Sequence, residues 1–204
     1  MLHLCFDVFY SRAVSFAKPG TEMHSAQYSV GMLREYWKRA ESEGMISLSI
    51  SEMPPWNDLC SELSWEFHSI DSRHFSAKHH GGCGVYRLIA LASEDDLTKP
   101  ATLNRVCGQD TTGTLYIGEA GDLSTRLNKL RRSALVRSFR FERSHGAINM
   151  LRKIPVLNYP PNKLAVALCF TDPLTNLIEQ HLIYAYINSF GEMPPLNYKS
   201  NARG

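Results

Sequence analysis

Residues 114–130 read TLYIGEAGDLSTRLNKL, and their pattern changes period in the middle. Thr114 to Gly118 is a β-branched and aliphatic run of the kind that forms a strand. Gly121 and Asp122 then break it, and either can cap a helix starting there. Leu123, Leu127 and Leu130 recur at i, i+4 and i+7, which predicts a short amphipathic helix. A strand running through a tight turn into a helix is therefore expected here.

Upstream, Gly84 opens a second β-branched and aliphatic run, Val85 to Leu91. A long polar connection holding Asp95, Asp96, Pro100 and Gly108 separates it from Thr114. Downstream, Leu164 to Phe170 predicts a third strand. Asp172 is placed to cap a long helix with Pro173 at its first position, running through Leu174, Leu177, Ile178, Leu182 and Ala185 to about Phe190. The order is strand, strand, helix, a basic helical stretch, strand, helix. Without regular βαβ alternation this predicts a small mixed α/β domain of α+β type and excludes a doubly wound sheet.

The first third of the chain reads differently. Leu2 to Ala17 has the mixture of a strand or hairpin, ended by Pro19-Gly20. Tyr28, Met32, Tyr36 and Ala40 predict a helix over 25–43, and a short helix is expected from Trp56 to Phe67 after Pro54-Pro55. Trp37, Trp56 and Trp65 are expected in the core. Residues 69–82, with His79-His80, read as a linker. The expected division is an N-terminal, mainly helical extension over 1–80 and a second domain over 81–204.

Composition sets outer bounds. The chain has 204 residues, 44% hydrophobic and 21% charged, which excludes disordered, collagenous and simple coiled-coil chains. Five cysteines, Cys5, Cys60, Cys83, Cys107 and Cys169, form no CxxC pair, so neither a zinc ribbon nor a disulfide framework is expected. No run approaches the roughly 20 apolar residues of a membrane span, which makes a cytoplasmic location the expectation. The net charge of +2 conceals two opposed parts: net −3 through Cys83 and net +5 after it. Between Arg126 and Lys153 stand nine basic residues, Arg126, Lys129, Arg131, Arg132, Arg137, Arg140, Arg143, Arg152 and Lys153, against Glu142 alone. Such a cluster suits a phosphate backbone, because each neutralised phosphate releases condensed counterions. A solvated basic helix face has the same appearance.

Four residues stand out for chemistry. Side chains alternate along a strand, so Tyr86, Leu88 and Ala90 share one face, as do Thr114, Tyr116 and Gly118. If the two strands pair, Tyr86 and Tyr116 meet. Arg126 borders the apolar stripe of its helix. Glu179 sits among Leu182, Ile183 and Tyr186 on a helix with little polar surface, where a carboxylate needs a partner. The plain alternative is two half-buried strand aromatics and an Arg126–Glu179 salt bridge between helices.

Gly84-Val85-Tyr86, Tyr116-Ile117-Gly118 with Asp122, Leu123 and Arg126, then Glu179 and finally Pro195-Leu196-Asn197, resemble in order and spacing the GIY-YIG nuclease family. The resemblance covers residues 84–198, and 115–127 is its most specific part. It implies a central three-stranded, mostly antiparallel sheet flanked by helices, and a Mg²⁺- or Mn²⁺-dependent endonuclease acting on DNA. By the same resemblance, Tyr86 activates the attacking water with Tyr116 assisting, Arg126 binds the scissile phosphate, Glu179 holds the metal and Asn197 orders the site. Many members carry His or Tyr four residues after the arginine. Here Leu130 stands there, leaving Lys129 or His145 as substitutes, and His145 resembles a histidine before the second helix of some small bacterial members. Lys129, Arg131, Arg132, Arg137 and Arg140 are the expected DNA contacts. A binding module that keeps the fold without cutting is the alternative, and a protein-interaction domain a third. The oligomeric state is open, with a dimer compatible.

Overall fold

The computed structural model describes residues 55–71, 82–135, 145–171 and 175–197. The elements expected over 2–17 and 25–43, most of the 69–82 linker, Trp37, Asp172, Pro173, Arg137, Arg140 and Arg143 lie outside these residues.

A four-stranded sheet in the order β1-β6-β2-β5 organises the fold, with every pair antiparallel. Its strands are β1 (Glu66–Ser69), β2 (Gly84–Ala90), β5 (Thr114–Ala120) and β6 (Leu164–Phe170). A separate hairpin, β3 (Leu103–Arg105) and β4 (Gly108–Asp110), occupies the long connection between β2 and β5. The helices are α1 (Trp56–Glu62), α2 (Leu123–Leu135), α3 (Gly146–Lys153) and α4 (Thr175–Phe190). The mixed α/β expectation matches this arrangement, and the three expected strands are β2, β5 and β6. The strand count does not match: β1 adds a fourth.

β2 is buried along its whole length, and β6 along all but its last residue. β6 reads as an unbroken apolar run and β2 as one interrupted only by Arg87, because each sheet face is covered, which removes the alternation of a half-exposed strand. One face, with Tyr86, Leu88, Leu115, Val166 and Leu168, packs on Leu123, Leu127 and Leu130 of α2 and Ile148 and Leu151 of α3. The other, with Val85, Ile117 and Cys169, packs on Trp56 and Leu59 of α1 and Ile178, Leu182 and Tyr186 of α4. At about 1.5–3 kcal/mol for each large side chain buried, these two layers dominate the stability.

α2 starts where the spacing predicts. Asp122 accepts from the Thr125 backbone N–H at 3.1 Å and from its hydroxyl at 2.6 Å, satisfying donors that a helix start leaves open. The helix expected to run from Trp56 to Phe67 is shorter. It ends at Glu62, with Leu63 extended, and the chain enters β1. Trp56, Leu59, Cys60 and Leu63 all bury, so the apolar spacing is helical, but pairing with β6 takes over beyond it.

A buried arginine ties α1 to the sheet. Arg87, 3% exposed, lies with its guanidinium carbon 4.4 Å from the Trp65 ring and 5.6 Å from the Trp56 ring. Its Nη1 donates to Cys60 Sγ and Thr114 Oγ1. Burial pushes the Cys60 thiol up to about 12, which leaves it an uncharged acceptor. Among the described residues the cysteines are free, and no helix is long and apolar enough to cross a membrane.

Candidate active site

The β2–β5 register places Tyr86 opposite Gly118 and Leu88 opposite Tyr116. The two tyrosines therefore share a face, their ring centroids 5.9 Å apart. Glycine at 118 is what permits this: a Cβ there would lie 2.8 Å from the Tyr86 hydroxyl and 2.5 Å from Tyr116 Cε1. Gly84 has an equivalent reason, since its Cβ would lie 2.3 Å from the Cys169 carbonyl oxygen of β6 and 2.8 Å from Leu123 of α2. Both glycines of the motif mark places where no side chain fits.

His145 comes to the same point from α3. It is the N-cap of that helix, its Nδ1 accepting from the Ala147 backbone N–H at 3.3 Å. Its own backbone N–H donates to Ser133 Oγ at 2.7 Å, and that hydroxyl donates to the Lys129 carbonyl. With its backbone so held, His145 Nε2 lies 2.8 Å from the Tyr86 hydroxyl, and the imidazole stands edge-on to both tyrosine rings. Burial, with help from the positive charges of Arg126 and Lys129, pushes the imidazole down to about 3. Leu130 is fully buried in the core. The polar group at the tyrosine pair therefore comes from 145, with half-buried Lys129 acting on it electrostatically.

Tyr86 is wholly buried and Tyr116 partly exposed. Burial pushes both phenols up, and for Tyr86 well up. Ionising a phenol at pH 7 already costs about 4 kcal/mol from the ordinary value near 10, so both are neutral hydroxyls here. Arg126, half-buried, borders the cluster. Its guanidinium stays charged against the cost of partial burial, and the carboxylates of Glu119 and Glu179 act on it from nearby. It makes no side-chain hydrogen bond or ion pair among the described residues. The Arg126–Glu179 salt bridge of the plain alternative is thus a longer-range attraction. Glu179, 2% exposed on α4, acts on Arg126 and both tyrosines.

Three contributions are hidden in the sequence. Glu119 follows Gly118 but alternates off the tyrosine face, so it reads as an ordinary polar strand end. It acts on Tyr116 and Arg126, and its Oε2 accepts from Thr175 Oγ1 at 3.1 Å. Thr175 lies one turn before Glu179 on the same face of α4. Ser133 fixes the His145 backbone, and only the folded contact shows it. Asn197 is expected near the site, and the fold supplies its means: its side chain accepts from Ile117 N–H at 2.9 Å and donates to Ile117 C=O at 2.7 Å. With Leu196 N–H on the Leu115 carbonyl, it covers the outer edge of β5 beside Tyr116.

Of the expected basic contacts, Arg131 and Arg132 lie on α2, the first half-buried and the second exposed, while Arg152 and Lys153 are exposed in the last turn of α3. A concavity of about 440 Å³ is lined by Ile148, Leu151, Leu157 and Tyr159. None of Tyr86, Tyr116, Arg126, His145 or Glu179 lines it. Comparison of the chain with family models, curated proteins and solved structures found no match.

Proposed function

We propose that the protein is a divalent-metal-dependent endonuclease of GIY-YIG type that hydrolyses DNA phosphodiester bonds. The observation that carries this is Arg126: a half-buried guanidinium without a side-chain partner among the described residues, beside two hydroxyls and a buried carboxylate. A planar, permanently charged fork in that position suits a phosphate. The basic residues of α2 and α3 extend the same preference along a polyanion.

Glu179 fits a hard cation. Its carboxylate supplies oxygen, and Mg²⁺ keeps several waters and takes phosphate oxygens as further ligands, so one acid suffices. Among the described residues no three His, Cys, Asp or Glu side chains converge, and it is the family resemblance that assigns Glu179 as the protein ligand. A bound Mg²⁺ or Mn²⁺ would offset charge developing on the phosphate oxygens.

The chain's own residues do the rest. Arg126 binds and orients the phosphate and stabilises its added negative charge. The Tyr86–Tyr116 pair orients and activates the attacking water; as neutral hydroxyls they do this by passing hydrogen bonds on, not as preformed phenolates. Asn197 keeps the β5 backbone under Tyr116 in place.

A binding module without cleavage is the second reading, favoured by Leu130 standing in the core where a polar residue belongs. Incubating supercoiled plasmid with Mg²⁺ or with EDTA separates the two: nicking that EDTA abolishes supports the nuclease, and DNA retention without nicking under both conditions supports the module.

A further inference from the structure

The concavity beside α3 is tied to the tyrosine site through Ser133. Its hydroxyl accepts the His145 backbone N–H, and its carbonyl accepts from Nη2 of Arg152. His145 reaches Tyr86, while Arg152 lines the concavity. Two helices connect the same places. α2 carries Arg126 near its start and ends in Ala134 and Leu135, which line the concavity. α3 begins after His145 and contributes Ile148, Leu151 and Arg152. At 1.5 Å per residue, either helix covers about 10–12 Å between them, which is about three base steps of a duplex strand.

The lining combines ring and apolar surface with a few polar groups. Tyr159 is half-buried in it, Leu151 and Leu157 supply aliphatic walls, and Asn158 and Arg152, both exposed, supply hydrogen-bonding groups. The wall carrying Leu157 and Tyr159 is held by successive backbone hydrogen bonds: Ile154 N–H to the Leu151 carbonyl, Leu157 N–H to that of Ile154, and Tyr159 N–H to that of Leu157. The volume of about 440 Å³ falls in the range usual for small-molecule sites. The surrounding charge narrows the ligand. Arg152 and Lys153 close α3, Arg131 and Arg132 stand on α2, and from Arg126 to Lys153 the sequence holds nine basic residues against one acid. An apolar, ring-lined cleft in such a field suits a flat ring attached to a polyanion.

We propose that the concavity receives an unpaired nucleobase of bound DNA, its face on the Tyr159 ring and its edge towards Asn158 and Arg152. Stacking on an aromatic ring accepts every base, and a guanidinium adds cation–π attraction. Stacking on one ring does not offset the opening of a sound base pair, so the occupant is a base already freed at a mismatch, a bulge or a strand end. The proposal rests on the DNA partner of the reading above and holds whether or not the strand is cut.

The test uses the full chain, with EDTA present so that no strand is cut, and three duplexes of one sequence: fully paired, with one bulged thymine, and with an abasic residue in place of that thymine. In gel-shift titrations the bulged thymine is bound roughly tenfold more tightly than either of the others, the worth of one stacked base. Tyr159→Ala removes the preference and Tyr159→Phe keeps it. A second readout needs no variant. With 5-iodouracil in place of the bulged thymine, irradiation of the wild-type complex cross-links the peptide that contains Tyr159. Equal affinity for the three duplexes, or a cross-link confined to other peptides, overturns the proposal while leaving DNA binding intact. Failure to retain any of the three defeats the DNA reading and the proposal together.

Discussion

Nε2 of His145 lies 2.8 Å from the Tyr86 hydroxyl across 59 residues of sequence. This one contact joins the central strand of the sheet to the start of α3. The side chain that makes it also caps that helix, so local helix stability and site geometry share a residue.

The same histidine makes stability depend on pH. The folded imidazole is held near 3 against an unfolded value of about 6.5, so between those limits the unfolded chain binds the proton more readily. Stability from this group is complete above about pH 6.5 and falls as pH drops towards 3, with a slope approaching about 1.4 kcal/mol per pH unit. Buried His181 is shifted the same way and adds to the fall. Denaturant melts from pH 7 to 4 on wild type and His145→Asn should show a shallower slope in the variant.

Gly118→Ala should be more harmful than a single methyl suggests. The added carbon would stand 2.8 Å from the Tyr86 hydroxyl, with Tyr116 closer still. The expected cost is about 1–3 kcal/mol of stability, as in other overpacked cores, and a loss of cleavage of at least tenfold. Chemical denaturation and nicking assays report the two effects separately.

Glu179→Gln replaces the carboxylate with a neutral group of the same shape. Cleavage with Mg²⁺ should fall by roughly a thousandfold, the several kcal/mol that metal-ion charge stabilisation contributes. DNA retention in a gel-shift assay should change little.

Exposed Arg132 should touch phosphate without reading sequence. Arg132→Gln is expected to weaken binding to unrelated DNA sequences equally. The plot of log affinity against log salt should lose about one unit of slope.

Arg87→Lys tests the box behind the site. A lysine keeps charge but loses the planar stack on two indoles and the fork that reaches Cys60 and Thr114. Thermal unfolding should show a loss of about 2 kcal/mol, the worth of a desolvated cation–π contact. Tryptophan emission should shift as Trp56 and Trp65 loosen.

What the sequence reveals depends on how local the cause is. Leu123, Leu127 and Leu130 and the Asp122 cap define α2 within one stretch of chain, and the aliphatic runs of β2 and β6 mark buried strands outright. The meeting of Tyr86 with Tyr116 follows once β2 and β5 pair, because parity fixes their faces. β1 carries no such mark: four residues, none of them buried, become a strand only because β6 offers an edge. His145, in sequence a loop histidine before a helix, reaches Tyr86 through Ser133, which no periodicity reports. Glu119 is hidden because its relevance comes from Thr175 on another element. Asn197 is legible as a motif residue, but its grip on Ile117 is a property of the folded sheet edge.

Strand β1 also sets where the chain can be shortened. A truncation starting at residue 81 would strip β6 of its outer neighbour and take away both indoles that enclose Arg87. The result would be a bare, apolar, seven-residue edge ready to zip onto another copy, so a soluble fragment for expression should begin no later than Pro55.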